Sequence, residues 1–277
     1  MQLTLPRQRQ LDLSRPVVMG ILNVTPDSFS DGGRYNQLDA ALYQAEQMLT
    51  DGAAILDIGG ESTRPGAQDV TEAQELERVV PVISAIRQRF DCVISIDTSK
   101  AAVMSAAVQA GADIINDVRA LQEPGALAVA AQAAVPVCIM HMQGAPRSMQ
   151  QAPDYQNVVN EVLQYLLSRA QQCQHAGIDK AQIILDPGFG FGKNLSHNYA
   201  LLQQLERFCS QGYAVLAGMS RKSMIGQLLN EPVDQRLAGS LACATIAALK
   251  GAHIIRVHDV KETVQAVRVV TATQYGA

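Results

Sequence analysis

No segment of the chain is apolar for long enough to cross a bilayer. The first residues, Met1-Gln-Leu-Thr-Leu-Pro-Arg-Gln-Arg9, also lack the apolar run of a secretory signal. Cysteine is sparse: Cys92, Cys138, Cys173, Cys209 and Cys243 are odd in number, widely spread and contain no C-x-x-C pair. Structural zinc and a disulfide framework are therefore not expected, and a reducing, cytoplasmic setting fits. Positive charge is not in excess, since the formal net charge is -4, so no general attraction to nucleic acid or to anionic membrane is expected. Tryptophan is absent and aromatic residues make up only 4% of the chain, which makes any ring outside the core worth noting. No low-complexity or linker-like stretch divides the 277 residues, which are read as one domain spanning 1–277.

What the chain does contain is alternation. Gln2–Leu5 and Gln10–Leu13 alternate polar and apolar and predict a short N-terminal hairpin. Short Val/Ile/Leu-rich runs follow at Val17–Leu22, Ala54–Ile58, Cys92–Ile96, Ile114–Asn116, Val135–Met140, Gln182–Leu185, Ala214–Ala217 and Ile254–Val257. Between them, Asp39–Thr50, Glu72–Arg89, Ala101–Gln109, Gln156–Gln174, Leu201–Phe208 and Arg236–Lys250 carry apolar residues at helical spacing. Gly52, Gly111, Gly177, Gly212 and Gly251 sit where helices should stop. Strands that are apolar throughout are buried on both faces, as in a parallel sheet. With eight strands and no Gly-x-Gly-x-x-Gly turn after the first, the expectation is α/β, a (β/α)8 TIM barrel, and not an open doubly wound sheet.

Chemistry in such a barrel sits where the strands end, because those loops converge on one mouth. At or just past the ends lie Asn23, Asp57, Asp97, Asn116, His141, Asp186, Ser220 and the pair Arg256/His258. An aspartate after a strand is commonly a helix cap, and Asp97-Thr-Ser-Lys100 alone is as well read that way. Polar ends on nearly every strand are harder to assign to capping. Asn23, in the fixed mouth, opens a loop of turn-formers and hydroxyls, of which residues 25–33 are expected to act as a lid. Gly59-Gly-Glu-Ser-Thr63-Arg64-Pro65-Gly66 places an arginine and hydroxyls between glycines, suited to meeting an anion. Asp186-Pro-Gly-Phe-Gly-Phe191-Gly-Lys193 fails the phosphate-loop pattern. Pro187 stands where the first glycine belongs and Asn194 where Ser or Thr should follow the lysine. Its two rings look instead like a wall for a flat ligand, with Phe189 more simply folded onto the core. Ser220-Arg-Lys222-Ser223, with Arg256 and His258, concentrates positive groups at the mouth and suggests an anionic substrate. His141 reads as a packed structural histidine.

The segments Asn23–Gly33, Asp57–Gly66, Asp186–Gly192 and Ser220–Ser223, with Arg256-Val-His258-Asp-Val260, resemble the bacterial dihydropteroate synthases from about Val17 to Val260. The resemblance implies an eight-fold barrel that condenses 4-aminobenzoate with (7,8-dihydropterin-6-yl)methyl diphosphate in folate biosynthesis, and that is a sulfonamide target. It implies a pterin pocket of Asp97, Asn116, Asp186, Lys222 and Arg256, with Asp97, Lys222 and Arg256 in catalysis. It further implies an aminobenzoate site of Thr63, Arg64, Pro65, Phe191 and Ser223, and a diphosphate site of Asn23, Thr63, Arg256 and His258. Mg²⁺ is implied at Asn23 and Asp31, and a homodimer is common among such proteins. The apolar, small-residue stretch Leu237–Leu249 is the expected dimer surface. The competing reading is a non-condensing pterin- or folate-binding barrel of the methyltransferase type. That reading has no use for Ser220–Ser223 or for a diphosphate-facing Arg256/His258. A Schiff-base aldolase barrel using Lys222 is a further alternative.

Overall fold

Runs of Val, Ile and Leu flanked by glycine-stopped helices leave each strand buried on both faces, and the chain satisfies this by closing on itself. The computed structural model describes residues 1–25, 34–62, 70–144 and 153–276. Asp31, Thr63, Arg64 and Pro65 lie outside the described residues, as does the whole of the loop from Pro26 to Gly33. The strands are β1 (Gln2–Thr4), β2 (Gln10–Asp12), β3 (Val17–Asn23), β4 (Ile55–Gly59), β5 (Val93–Asp97), β6 (Ile114–Asp117), β7 (Val137–Met140), β8 (Ile183–Asp186), β9 (Ala214–Ala217) and β10 (Ile254–Val257). β1 and β2 form the expected antiparallel hairpin. β3 to β10 are parallel and form a closed barrel in sequence order, with β10 pairing both β9 and β3.

The helices are α1 (Arg34–Thr50), α2 (Glu72–Arg89), α3 (Ala101–Ala110), α4 (Ala126–Ala133), α5 (Val158–His175), α6 (Leu195–Gln203), α7 (Glu206–Cys209), α8 (Ser223–Leu229), α9 (Leu237–Leu249) and α10 (Val260–Tyr275). α2 starts where the sequence signals it, at a reciprocal capping box between Thr71 and Gln74. Gly111 ends α3 at φ +119°, and the other four expected glycine stops also have positive φ. Three helical features depart from expectation. α4 and α8 were not foreseen, because Ala126–Ala133 is nearly all alanine and other apolar residues, with no polar face, and Ser223 reads as loop. The stretch Leu201–Phe208 is broken at Gln204–Leu205 between α6 and α7.

Period two along each strand explains how the barrel divides into a floor and a mouth. Met19, Ile55, Ile114, Cys138, Ile184, Ala214 and Ile254 form a buried cluster with Leu3, Leu5, Leu11 and Leu13 of the hairpin. The hairpin is thus a plug under the barrel. It is tied there by Arg7 and Arg9, which with Arg87 surround the fully buried Asp113. Two residues further along the strands, the same inward parity gives Asp57 after Ile55, Asn116 after Ile114, Asp186 after Ile184 and Arg256 after Ile254. The closed floor leaves the mouth as the end where these polar side chains gather.

Candidate active site

Arg256 arises from β10 and crosses to two carboxylates on neighbouring strands. Its Nε donates to Asp57 Oδ2 at 2.6 Å and its terminal NH2 group donates to Asp97 Oδ2 at 2.6 Å. Asn116 Nδ2 donates to the same Asp57 oxygen at 3.1 Å, so β4, β5, β6 and β10 are joined by one polar network. Asp97 is therefore a partner of Arg256 and not the cap of α3, whose first turn has no side-chain cap. Burial pushes the Asp97 carboxyl up to about 7, against the pull of Arg256, and neighbouring Asp57 adds to the rise. Burial lowers the Arg256 guanidinium, but Asp57 and Asp97 more than offset it, so it stays charged.

On the far side of the mouth, Asp186 ends β8 and its Oδ1 accepts from Gly188 N at 2.7 Å. Burial raises this carboxyl as well, while Lys222 draws it down. Gly188 sits at φ +70°, and a Cβ there would lie 1.9 Å from the His141 carbonyl oxygen, so the turn requires glycine. The loop then buries Phe189 completely, as expected, and presents its carbonyl to Lys222 Nζ. Lys222 Nζ also lies 4.6 Å from the centroid of the Phe191 ring. Burial brings the Lys222 ammonium down to about 8, with Asp186 opposing the change.

Lys193, rejected as a phosphate-loop lysine, has a structural use. Its buried Nζ lies 2.9 Å from Gly188 O, 2.9 Å from Phe191 O and 3.2 Å from His141 O, and 2.9 Å from His141 Nδ1. It staples the glycine loop to the end of β7. His141 is buried, edge-on to Tyr165, and held down to about 3 by burial and by Lys193, so its imidazole is neutral.

Ser220 and His258 meet across the β9 and β10 loops, with Ser220 Oγ 3.1 Å from His258 Nδ1 and accepting from His258 N at 3.2 Å. Asn23 closes β3 beside Gly59 and is partly buried. Ser223 is exposed at the first turn of α8. The structure thus gathers Asp97, Asn116, Asp186, Lys222 and Arg256 at the strand ends. Among the described residues, Lys222 and Arg256 stand in the mouth among Asp57, Asp97 and Asp186. The sequence marks Asp57 as a polar strand end and does not place it in the pocket. Its parity with Ile55 is the signal that places it beside Arg256.

The description "Pterin binding enzyme" belongs to the family whose model matches residues 19–258. The dihydropteroate synthase of Escherichia coli (strain K12) is 61% identical over 263 residues, covering 95% of this chain and 93% of that protein. Among solved structures, the Yersinia pestis dihydropteroate synthase in a sulfonamide drug complex superposes with a TM-score of 0.94 at 59% identity, covering 99% of each chain. The Xanthomonas albilineans dihydropteroate synthase in complex with 7,8-dihydropteroate gives a TM-score of 0.91 at 47% identity, again over 99% of each chain. The chain belongs to the pterin-binding enzyme family, and the Escherichia coli relative and the two solved structures are dihydropteroate synthases.

Proposed function

We propose that this chain, acting as a single domain, condenses 4-aminobenzoate with (7,8-dihydropterin-6-yl)methyl diphosphate to give 7,8-dihydropteroate and diphosphate. The observation that carries the reading is the convergence of Asp186, Asn116, Asp97 and Lys222 around Arg256 in one mouth. A pterin offers a ring N–H and an amino group side by side, which suit the carboxylate of Asp186. Lys222 suits the ring carbonyl, and Asn116 and Asp97 suit the remaining ring edge. Phe191, under the Lys222 ammonium, and Ser223 frame the aminobenzoate together with Thr63, Arg64 and Pro65. Asn23, Thr63, Arg256 and His258 hold the diphosphate.

Breaking the methylene–oxygen bond places negative charge on diphosphate and positive charge on the pterin methylene. Arg256 and His258 favour the first, and Asp97 and Asp186 favour the second. Among the described residues no group of three His, Cys, Asp or Glu side chains is placed to hold a metal ion. Asn23 supplies a single neutral oxygen, a sparse donor set that suits a cation entering on substrate phosphates. Mg²⁺ held at Asn23 and Asp31 would neutralise charge on the departing diphosphate.

Diphosphate release should require the pterin diphosphate, 4-aminobenzoate and Mg²⁺ together, and chelation of Mg²⁺ should abolish it. Its rate against pH should form a narrow bell. Asp97 must be ionised to face the methylene cation, so activity rises as pH passes about 7. Lys222 must stay protonated to meet the ring carbonyl, so activity falls as pH passes about 8. Pterin binding without any diphosphate release would overturn the proposal in favour of the non-condensing barrel.

The same reading includes a homodimer. α9 buries one face through Cys243, Ala244, Ala247 and Ala248, while Leu237, Ile246 and Leu249 stand exposed. Leu229 of α8, close to Gly239 of α9, is also exposed, as are Leu228 and Val233. Light scattering should give twice the chain mass, and a monomer at working concentration would remove the dimer. Five free cysteines fit a reducing cytoplasm, and no described helix is long and apolar enough to cross a membrane.

A further inference from the structure

The turn that delivers Lys222 is built around a residue in an unfavourable conformation. Lys222 N donates to Met219 O at 3.1 Å, closing a four-residue turn whose third member, Arg221, has φ +57°. Turns of that shape ordinarily place glycine or asparagine there, because a side chain on a left-handed residue crowds its own backbone. An arginine holds that conformation only where its surroundings fix it.

Those surroundings come from two other elements. Arg221 N donates to Ser240 Oγ at 3.0 Å, in the first turn of α9. Arg221 O accepts from the NH1 group of Arg236 at 3.0 Å, just before α9. The Arg221 guanidinium pairs with Asp259, next to His258, through Nε at 3.0 Å and through its NH2 group. Ser240 Oγ in turn donates to Arg236 O at 2.7 Å, and Arg236 Nε donates to Glu231 O at 2.9 Å. α8 leaves room for this brace at Gly226, where a Cβ would lie 2.2 Å from Arg236. Both peptide groups and the side chain of Arg221 are thus held from outside the loop. On its two sides stand Ser220, which meets His258, and Lys222, which reaches Phe189 O.

We propose that Arg236 and Ser240 are positioning residues, which lock Arg221 in its left-handed turn and so aim Lys222 at the pterin and Ser220 at His258. This rests on the function proposed above. Lys222 faces Asp186 from β8, Arg256 from β10 and Asp97 from β5, and it is the brace that keeps it among them. Released from that position, its ammonium would return towards the ordinary lysine range.

The test uses the full-length chain and three forms: wild type, Ser240→Ala and Gly226→Ala, the last placing a Cβ against the Arg236 guanidinium. Binding of a dihydropterin lacking the diphosphate is measured by calorimetry from pH 6.5 to 10, beside steady-state diphosphate release and thermal unfolding. Wild-type affinity should fall as pH passes about 8. Both variants should bind about fivefold more weakly at pH 7, turn over about tenfold more slowly, and lose affinity at a pH about one unit higher. Folded variants that keep wild-type affinity and the wild-type alkaline limb overturn the proposal, and so does a lower unfolding temperature with both unchanged. Should wild type bind no pterin at all, it is the proposed function that fails, which these arms separate.

Discussion

Replacing Lys222 by alanine should lower diphosphate release by about a thousandfold while the fold survives. The size follows from where the ammonium sits. Among the described residues, Lys222 and Arg256 are the cations that stand with Asp57, Asp97 and Asp186 at the mouth, and the protein around Lys222 has already brought it down to about 8. A charge held at that cost interacts strongly with a ligand, because little water remains to screen it. Its contacts are with Phe189 O and the Phe191 ring, on the glycine loop, so the lysine also helps to hold the wall of the pocket. Nothing in the core depends on it: Phe189 is buried through its own ring, and Lys193 staples the loop independently. The unfolding midpoint should therefore change little. Lys222→Arg should not restore turnover, since a guanidinium is longer and bulkier and presents a planar fork of donors where the compact ammonium meets Phe189 O. Diphosphate release within threefold of wild type in Lys222→Ala would remove Lys222 from catalysis.

The barrel was legible because its signals are local and repeated. Continuous apolar runs, helical spacing and glycine stops recur at each unit, and all eight strands lie within a residue or two of their expected bounds. Polar strand ends were equally legible, since each lies one or two residues from an apolar run. What escaped was pairing across the barrel. Arg256 and Asp57 are 199 residues apart, and the sequence says only that each ends a strand, not that one guanidinium spans β4 and β5. Lys193 escaped for a different reason. A lysine after a glycine loop has a familiar meaning, and when that failed its true use, four contacts within its own neighbourhood, had no sequence signature. The brace on Arg221 is similar: nothing in Ser-Arg-Lys-Ser announces a left-handed arginine.

The pairing of Arg256 sets up the second large effect. Arg256→Met removes the only cation that reaches Asp57 and Asp97 together among the described residues. Asp57 is fully buried, so its charge would remain without a partner of opposite sign, a loss of about 3–5 kcal/mol by comparison with other broken buried pairs. Activity should fall below detection, since the same guanidinium is proposed to hold the diphosphate. The pH dependence distinguishes this from ordinary loss of packing. The Asp97 carboxyl stands at about 7 even with Arg256 beside it, well above its value in the unfolded chain. A raised carboxylate binds more protons folded than unfolded, so its contribution weakens as pH rises between those two values. Without Arg256 the folded value rises further. Below about pH 7 both proteins should lose stability alike as pH rises; above it, where the wild-type slope levels off, denaturant midpoints of Arg256→Met should go on falling. Adding Asp57→Asn removes the buried charge, and the double variant should regain much of the stability and none of the turnover. If the double variant is no more stable than Arg256→Met alone, the cost lies in lost packing and not in the buried charge, and the reading of Arg256 as the electrostatic centre of the mouth is wrong.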